Sequence, residues 1–204
     1  MADKIYLYPL WLRIWHIFNA LLYLLLILSG ISLHFSDPEY PLIDFKTAVT
    51  MHDVSGILLA LNYAIFVVLN VNLGNTRYYT FSWKGWPKRL LAQAKYYTVG
   101  VFKGEEPPFP ISEKRKFNPL QKFSYIMVMY FFTPMVIITG IGLLFPGIVV
   151  NQIFETNGLY LTNIFHLITA YVVTMFLIIH VYFSTMGPKP TSYFKSMING
   201  WHES

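Results

Sequence analysis

The chain contains no cysteine. That excludes disulfides, thiolate-bound zinc and iron–sulfur clusters built from its own residues. Charge is also scarce: 12 % of the 204 residues are Asp, Glu, Lys or Arg, against about 25 % in an ordinary soluble domain. The scarcity is concentrated. Ile14–Ser36 and Val54–Thr76 are each 23 residues without a formal charge, Phe123–Phe154 is 32 and Thr156–Pro188 is 33. A helix needs about 20 residues to cross about 30 Å of hydrocarbon, so four spans are expected, near 12–33, 51–71, 120–144 and 161–185. Pro146, Gly147, Asn157 and Gly158 assign parts of the two longer runs to a loop. The first apolar stretch is longer than the roughly 7–15 residues of a secretory signal core, and no small-residue cleavage site follows it. It therefore reads as a retained span.

The net charge of +5 does not point to nucleic acid, because of where the charges lie. Of fifteen Lys and Arg, only Lys46 falls in the first or third loop, while Asp37, Glu39, Asp44 and Glu155 lie in those segments. Positive residues mark the cytoplasmic side. Both termini and the long second loop are expected inside, and the two shorter loops outside. The expected fold is all-α: a transmembrane four-helix bundle, residues 1–204 forming one membrane domain. In the second loop, WPKRLLAQAKYYTVGVF places Pro87 at a first helical turn and alternates Lys88, Arg89 and Lys95 with apolar residues. That pattern predicts a short helix at the membrane surface. Pro134 interrupts the hydrogen bonding of the third span. Gly140 and Gly142 beyond it permit close helix packing or make room for a flat prosthetic group.

What is present in those apolar runs is histidine. Five of the six lie in or at the ends of spans, and His202 lies in the tail. His166 and His180 are fourteen residues apart, nearly four helical turns, so they share a face about 21 Å apart along the axis. His180 and His16 lie near the inner ends of their spans, and His166 and His52 near the outer ends. Depth alone pairs His16 with His180 and His52 with His166. His34 is five full turns after His16 and also lies on the outer side, so by geometry it is the alternative to His52. Gly56, one turn after His52, leaves room for a ring and favours His52. Two imidazoles facing each other across a helix bundle are what a haem iron needs as axial ligands. With both positions filled, such a group passes electrons rather than binding substrate. Zinc wants three or four converging ligands, whereas these histidines separate into two levels. Arg13, one turn before His16, is placed to meet a haem propionate or to anchor the positive side. A histidine proton relay would expect acidic partners inside the spans, and there are none; Asp53 sits at a boundary. A haem-free membrane anchor would leave the two-level geometry without a role.

RIWHIFNA (Arg13–Ala20), HDVSG (His52–Gly56), FNPLQK (Phe117–Lys122), PMVIITGIGLL, the H-x13-H of the fourth span and the TMGPKP that follows it resemble the di-haem b-type cytochrome subunits of respiratory formate dehydrogenases. Thiosulfate reductase-type cytochromes and the cytochrome subunits of nickel–iron hydrogenases are similar. The resemblance spans essentially the whole chain. It implies His16 and His180 as ligands of an inner haem b, and His52 and His166 as ligands of an outer one. It further implies an iron–sulfur subunit and a catalytic subunit as partners, a prokaryotic cytoplasmic membrane, and menaquinone or ubiquinone as substrate. A quinone-bordering motif of such cytochromes matches here at Asn118, Gln121 and Lys122, with Leu120 in place of its glycine. Asn118 ahead of Pro119 is equally a helix N-cap.

Overall fold

The computed structural model describes residues 4–80, 83–112, 115–153, 155–187 and 189–203. Pro188 of the TMGPKP segment lies outside them. Four helices are long and apolar enough to cross a membrane: α1 (Leu10–His34), α2 (Phe45–Asn72), the Pro119–Leu144 rod and α6 (Gly158–Ser184). The rod comprises α4 (Pro119–Met127), a π turn (Val128–Phe132) and α5 (Thr133–Leu144). A short α3 (Trp86–Lys95) occupies the second loop where the surface helix was expected, and α7 (Ser192–Asn199) follows α6. The protein is an all-α, integral membrane four-helix bundle.

The spans begin earlier than the charge-free runs suggest, because a helix starts at its cap rather than where it enters hydrocarbon. Asp44 Oδ1 accepts the Thr47 N–H at 3.1 Å and starts α2 six residues before the expected Met51. Asn157 Oδ1 accepts the Tyr160 N–H at 3.0 Å and starts α6 three residues before Leu161. Each side-chain oxygen satisfies one of the N–H groups orphaned at a helix start. His52 consequently sits about two turns inside α2 rather than at its mouth.

Helix α1 packs on α2, α5 on α6, and α2 meets α5. The interfaces invert the pattern of a soluble core. Ser29, Ser32, Ser55, Asn62 and Asn70 are buried, while Leu21, Leu28, Val68, Ile168 and Ile178 each stay half exposed on the outside. Lipid is as apolar as leucine, so close approach of small residues and interhelical hydrogen bonds hold the helices instead. Trp15 Nε1 donates to the Asn62 carbonyl at 3.1 Å, and Tyr23 and Thr133 share a 2.9 Å hydroxyl bond. One aromatic knot, Leu12, Trp15 and Phe66, lies near the end that carries both termini, with Trp15 stacked on Phe66 at 4.3 Å.

The disturbance expected from Pro134 takes the form of that π turn. Thr133 N–H reaches back five residues to the Val128 carbonyl, and Pro134 has no N–H to offer. The Met129 carbonyl thus loses its helical partner, and Tyr63 of α2 replaces it, its hydroxyl donating at 2.8 Å. A carbonyl stranded in hydrocarbon is costly. Tyr63→Phe should therefore lower stability to unfolding in detergent by about 1–2 kcal/mol. Pro134→Ala restores an N–H and should shrink that loss in a double-mutant cycle. Additive effects of the two substitutions would show that Tyr63 and Pro134 are not linked.

Beyond the membrane ends, β1 (Lys4–Tyr6) pairs antiparallel with β4 (Trp201–Glu203), joining the two tails beneath the bundle. His202, which carries no message in the sequence, is buried there and stacks on Tyr193 at 5.9 Å. At the opposite end β2 (Gln152–Ile153) and β3 (Thr156–Asn157) form a small hairpin before α6.

Candidate haem-binding site

Four half-buried histidines meet as two pairs. His16 of α1 faces His180 of α6, with ring centroids 6.1 Å apart. His52 of α2 faces His166 of α6 at 6.2 Å. The first pair lies toward the termini and is called proximal here; the second is distal. The proximal imidazoles come from helices adjacent to the tails and the distal ones from the far halves of α2 and α6. Up-and-down chain order puts equal depths opposite each other, and nearly four turns of α6 separate the levels. His34 joins neither pair: its exposed ring meets Phe35 at 4.6 Å and Tyr171 edge-on at 6.3 Å. The room at the distal pair is not made by Gly56, whose nearest neighbour would be Leu26. It is made by Gly30 of α1 against His52 and by Gly140 of α5 against His166.

The surrounding polar groups orient the rings. His52 Nδ1 is 3.0 Å from Ser29 Oγ, and His166 Nδ1 is 3.0 Å from Thr139 Oγ1. At the proximal pair, His180 Nδ1 lies 3.4 Å from the Tyr125 hydroxyl, and Phe176 stacks on the ring at 5.6 Å and 16°. Ser29, Thr139 and Tyr125 are not among the residues expected from the sequence. A hydroxyl followed by glycine inside an apolar run, Ser29-Gly30 and Thr139-Gly140, was the available sign.

The remaining expected site residues sit around the termini end. Arg13 Nη1 donates to the Ile198 carbonyl in the last turn of α7, where a cation also meets the negative end of the helix dipole. Its Nε is buried without a hydrogen-bond partner among the described residues. Asn118 and Gln121 form a reciprocal capping box: Asn118 Oδ1 accepts the Gln121 N–H at 2.9 Å, and Gln121 Oε1 accepts the Asn118 N–H at 3.2 Å. Asn118 Nδ2 also donates to the Tyr97 hydroxyl at 2.7 Å, and Lys122 Nζ to the Thr80 carbonyl at 3.1 Å. These bonds tie the start of the third span to the second loop.

Residues 7–200 match the family model described as prokaryotic cytochrome b561. The chain belongs to that family. It is a membrane b-type cytochrome of electron transfer and, as its family implies, binds haem b. The Escherichia coli (strain K12) protein YdhU, whose name places it among cytochromes, is 37 % identical over 201 residues, covering 98 % of this chain and 76 % of its own. No solved structure matches the chain.

The histidine pairs fit a haem of this cytochrome. A metal–imidazole bond is about 2 Å and a ring nitrogen lies about 1.1 Å from its centroid, so two axial imidazoles stand about 6.2 Å apart. Both observed separations agree with that figure. Among the described residues no three His, Asp or Glu side chains converge on one point, so a three- or four-ligand metal centre finds no counterpart there.

Proposed function

We propose that the protein is the di-haem electron-transfer subunit of a membrane-bound respiratory oxidoreductase. The observation that carries this reading is the presence of two facing imidazole pairs, each at the spacing of an axial ligand set, at two depths on one shared helix. His16 and His180 would hold the proximal haem b, and His52 and His166 the distal one. Bound haem supplies reversible one-electron chemistry at its iron. The imidazoles hold their levels by helix packing.

The excess of Lys and Arg on the termini side supports a cytoplasmic placement of both ends. In that orientation the distal pair lies toward the periplasm, where an iron–sulfur subunit and its catalytic partner would exchange electrons with it. The proximal pair lies toward the cytoplasm, near Asn118, Gln121 and Lys122, where menaquinone or ubiquinone would react. Arg13, one turn from His16, would neutralise a propionate there. Quinone reduction at that face takes up protons from the cytoplasm while electrons move inward, so turnover would charge the membrane.

The test is the purified full chain. Its reduced-minus-oxidised spectrum should be that of haem b, and haem extraction should give two haems per chain. Anaerobic addition of quinol should reduce the proximal haem. A colourless chain that assembles normally would overturn the reading and leave a membrane anchor. A single haem would overturn its di-haem part.

A further inference from the structure

The distal imidazoles are held by matching devices on two different helices. On α1, Ser29 is followed by Gly30; on α5, Thr139 is followed by Gly140. Ser29 Oγ donates to the Leu25 carbonyl at 2.7 Å and Thr139 Oγ1 to the Met135 carbonyl at 2.8 Å. A hydroxyl has one proton to give. With it committed to the helix, the oxygen can only accept from the histidine 3.0 Å away. In that arrangement Nδ1 of His52 and of His166 carries the hydrogen. That leaves Nε2 with its lone pair free, the form needed to ligate iron.

The adjacent glycine completes each device. A Cβ on Gly30 would stand 3.4 Å from His52 Cε1, and one on Gly140 would stand 3.3 Å from His166 Cε1. Cε1 is bonded to Nδ1, so the glycine admits the same edge of the ring that the hydroxyl grips. At Gly140 even a Cβ would press on the ring, whereas at Gly30 a Cβ makes an ordinary contact and only a larger side chain would displace the ring. Among the described residues the proximal pair shows no equivalent: His180 has a phenol at 3.4 Å, longer than an ordinary hydrogen bond.

We propose that Ser29-Gly30 and Thr139-Gly140 are paired positioning elements that fix the tautomer and rotation of His52 and His166 and lower the redox potential of the haem held between them. The inference rests on the di-haem reading above. A hydrogen bond donated from Nδ1 makes the imidazole a stronger electron donor, which favours ferric iron. Grip at the distal level and a looser proximal level would bias electrons toward the proximal haem, the direction that quinone reduction requires.

The experiment compares the full chain with Thr139→Val, Thr139→Ser and Ser29→Ala, reading haem content, low-spin electron paramagnetic resonance and the midpoint potential of each haem. Thr139→Val keeps the side-chain shape and loses the acceptor. It should raise the potential of one haem and move its resonance, with the other unchanged, and Thr139→Ser should restore both. Ser29→Ala should move the same haem. Thr98→Val, which removes a similar back-bond in the second loop, should move neither. If Thr139→Val instead loses one haem and Thr139→Ser regains it, the positioning role also stands. If Thr139→Val does not accumulate, Ser29→Ala decides through His52. Two haems with unaltered potentials in both variants would overturn this proposal while leaving the di-haem reading intact. A wild-type chain without two haems would overturn that reading first.

Discussion

Replacing His180 with alanine is expected to remove one haem and leave the other in place. The full chain should bind two haems, and His180→Ala should fall to about one per chain, with the remaining haem still low-spin, because a two-ligand haem depends on both partners. His16→Ala should lose the same haem, since the two rings face each other at 6.1 Å. His52→Ala and His166→Ala should lose the other, and the two classes should differ in the midpoint potential of the survivor. His34→Ala should keep both, because its ring meets Phe35 and Tyr171 rather than a histidine. The measurement is haem per chain with a reductive titration of each variant. Retention of two haems in His180→Ala would remove that residue from the ligand set. Loss of a haem in His34→Ala together with retention in His52→Ala would transfer the distal role to His34.

The second large effect concerns Lys116, just before the third span. Its side chain is 2 % exposed, and among the described residues Nζ finds no hydrogen-bond partner. It lies over the rings of Tyr8, Tyr78 and Phe117, at 4.5, 5.2 and 5.7 Å from their centroids. Those rings offset part of the lost hydration. Burial, with a smaller contribution from Arg77, pulls the ammonium from its ordinary 10.5 down to about 8. The sign of the pH dependence follows. Below about 8 the lysine is protonated in both folded and unfolded chains, so its cost is constant and fully present. Between about 8 and 10.5 the unfolded chain keeps a proton that the folded chain has released, so stability rises with pH. At about 1.4 kcal/mol per pKa unit, the whole window bounds the gain at about 3 kcal/mol. Tyr8, Tyr79, Tyr97 and Tyr193, outside the membrane, are all shifted upward, mainly by burial. They work oppositely above about 10, where unfolded tyrosines begin to ionise. The rise should therefore be read between pH 8 and 10, by thermal unfolding in detergent. Lys116→Met should be more stable than the natural chain below pH 8, and nearly flat over the window. Parallel curves for the two proteins would show that Lys116 does not carry the effect.

The distal devices and the Tyr63 prop share a theme. Inside hydrocarbon each polar group must be answered by a specific partner. The π turn strands the Met129 carbonyl, and Tyr63 answers it. Two histidines need a defined tautomer, and Ser29 and Thr139 answer them. In both cases the partner comes from a neighbouring helix, so these polar residues also tie the helices together.

Much of this was determined by the sequence by itself. Charge-free runs longer than a bilayer is thick mark four spans, because a charge in hydrocarbon is expensive whatever the fold. The helical repeat puts His166 and His180 on one face without reference to any neighbour. Local chemistry also identified Asn118 as the cap of the third span. Tertiary structure decided what depends on lateral position. Depth left His52 and His34 as competing partners for His166, since periodicity along one helix says nothing about how that helix is rotated and placed against another. Packing faces His52 toward His166 and sets His34 against Phe35 and Tyr171. It also replaced Gly56 by Gly30 and Gly140 as the residues that admit the rings, and it brought Ser29, Thr139 and Tyr125 to the imidazoles from sequence distances of 23, 27 and 55 residues. A residue's depth is written along the chain, but its neighbours are chosen only when the helices pack.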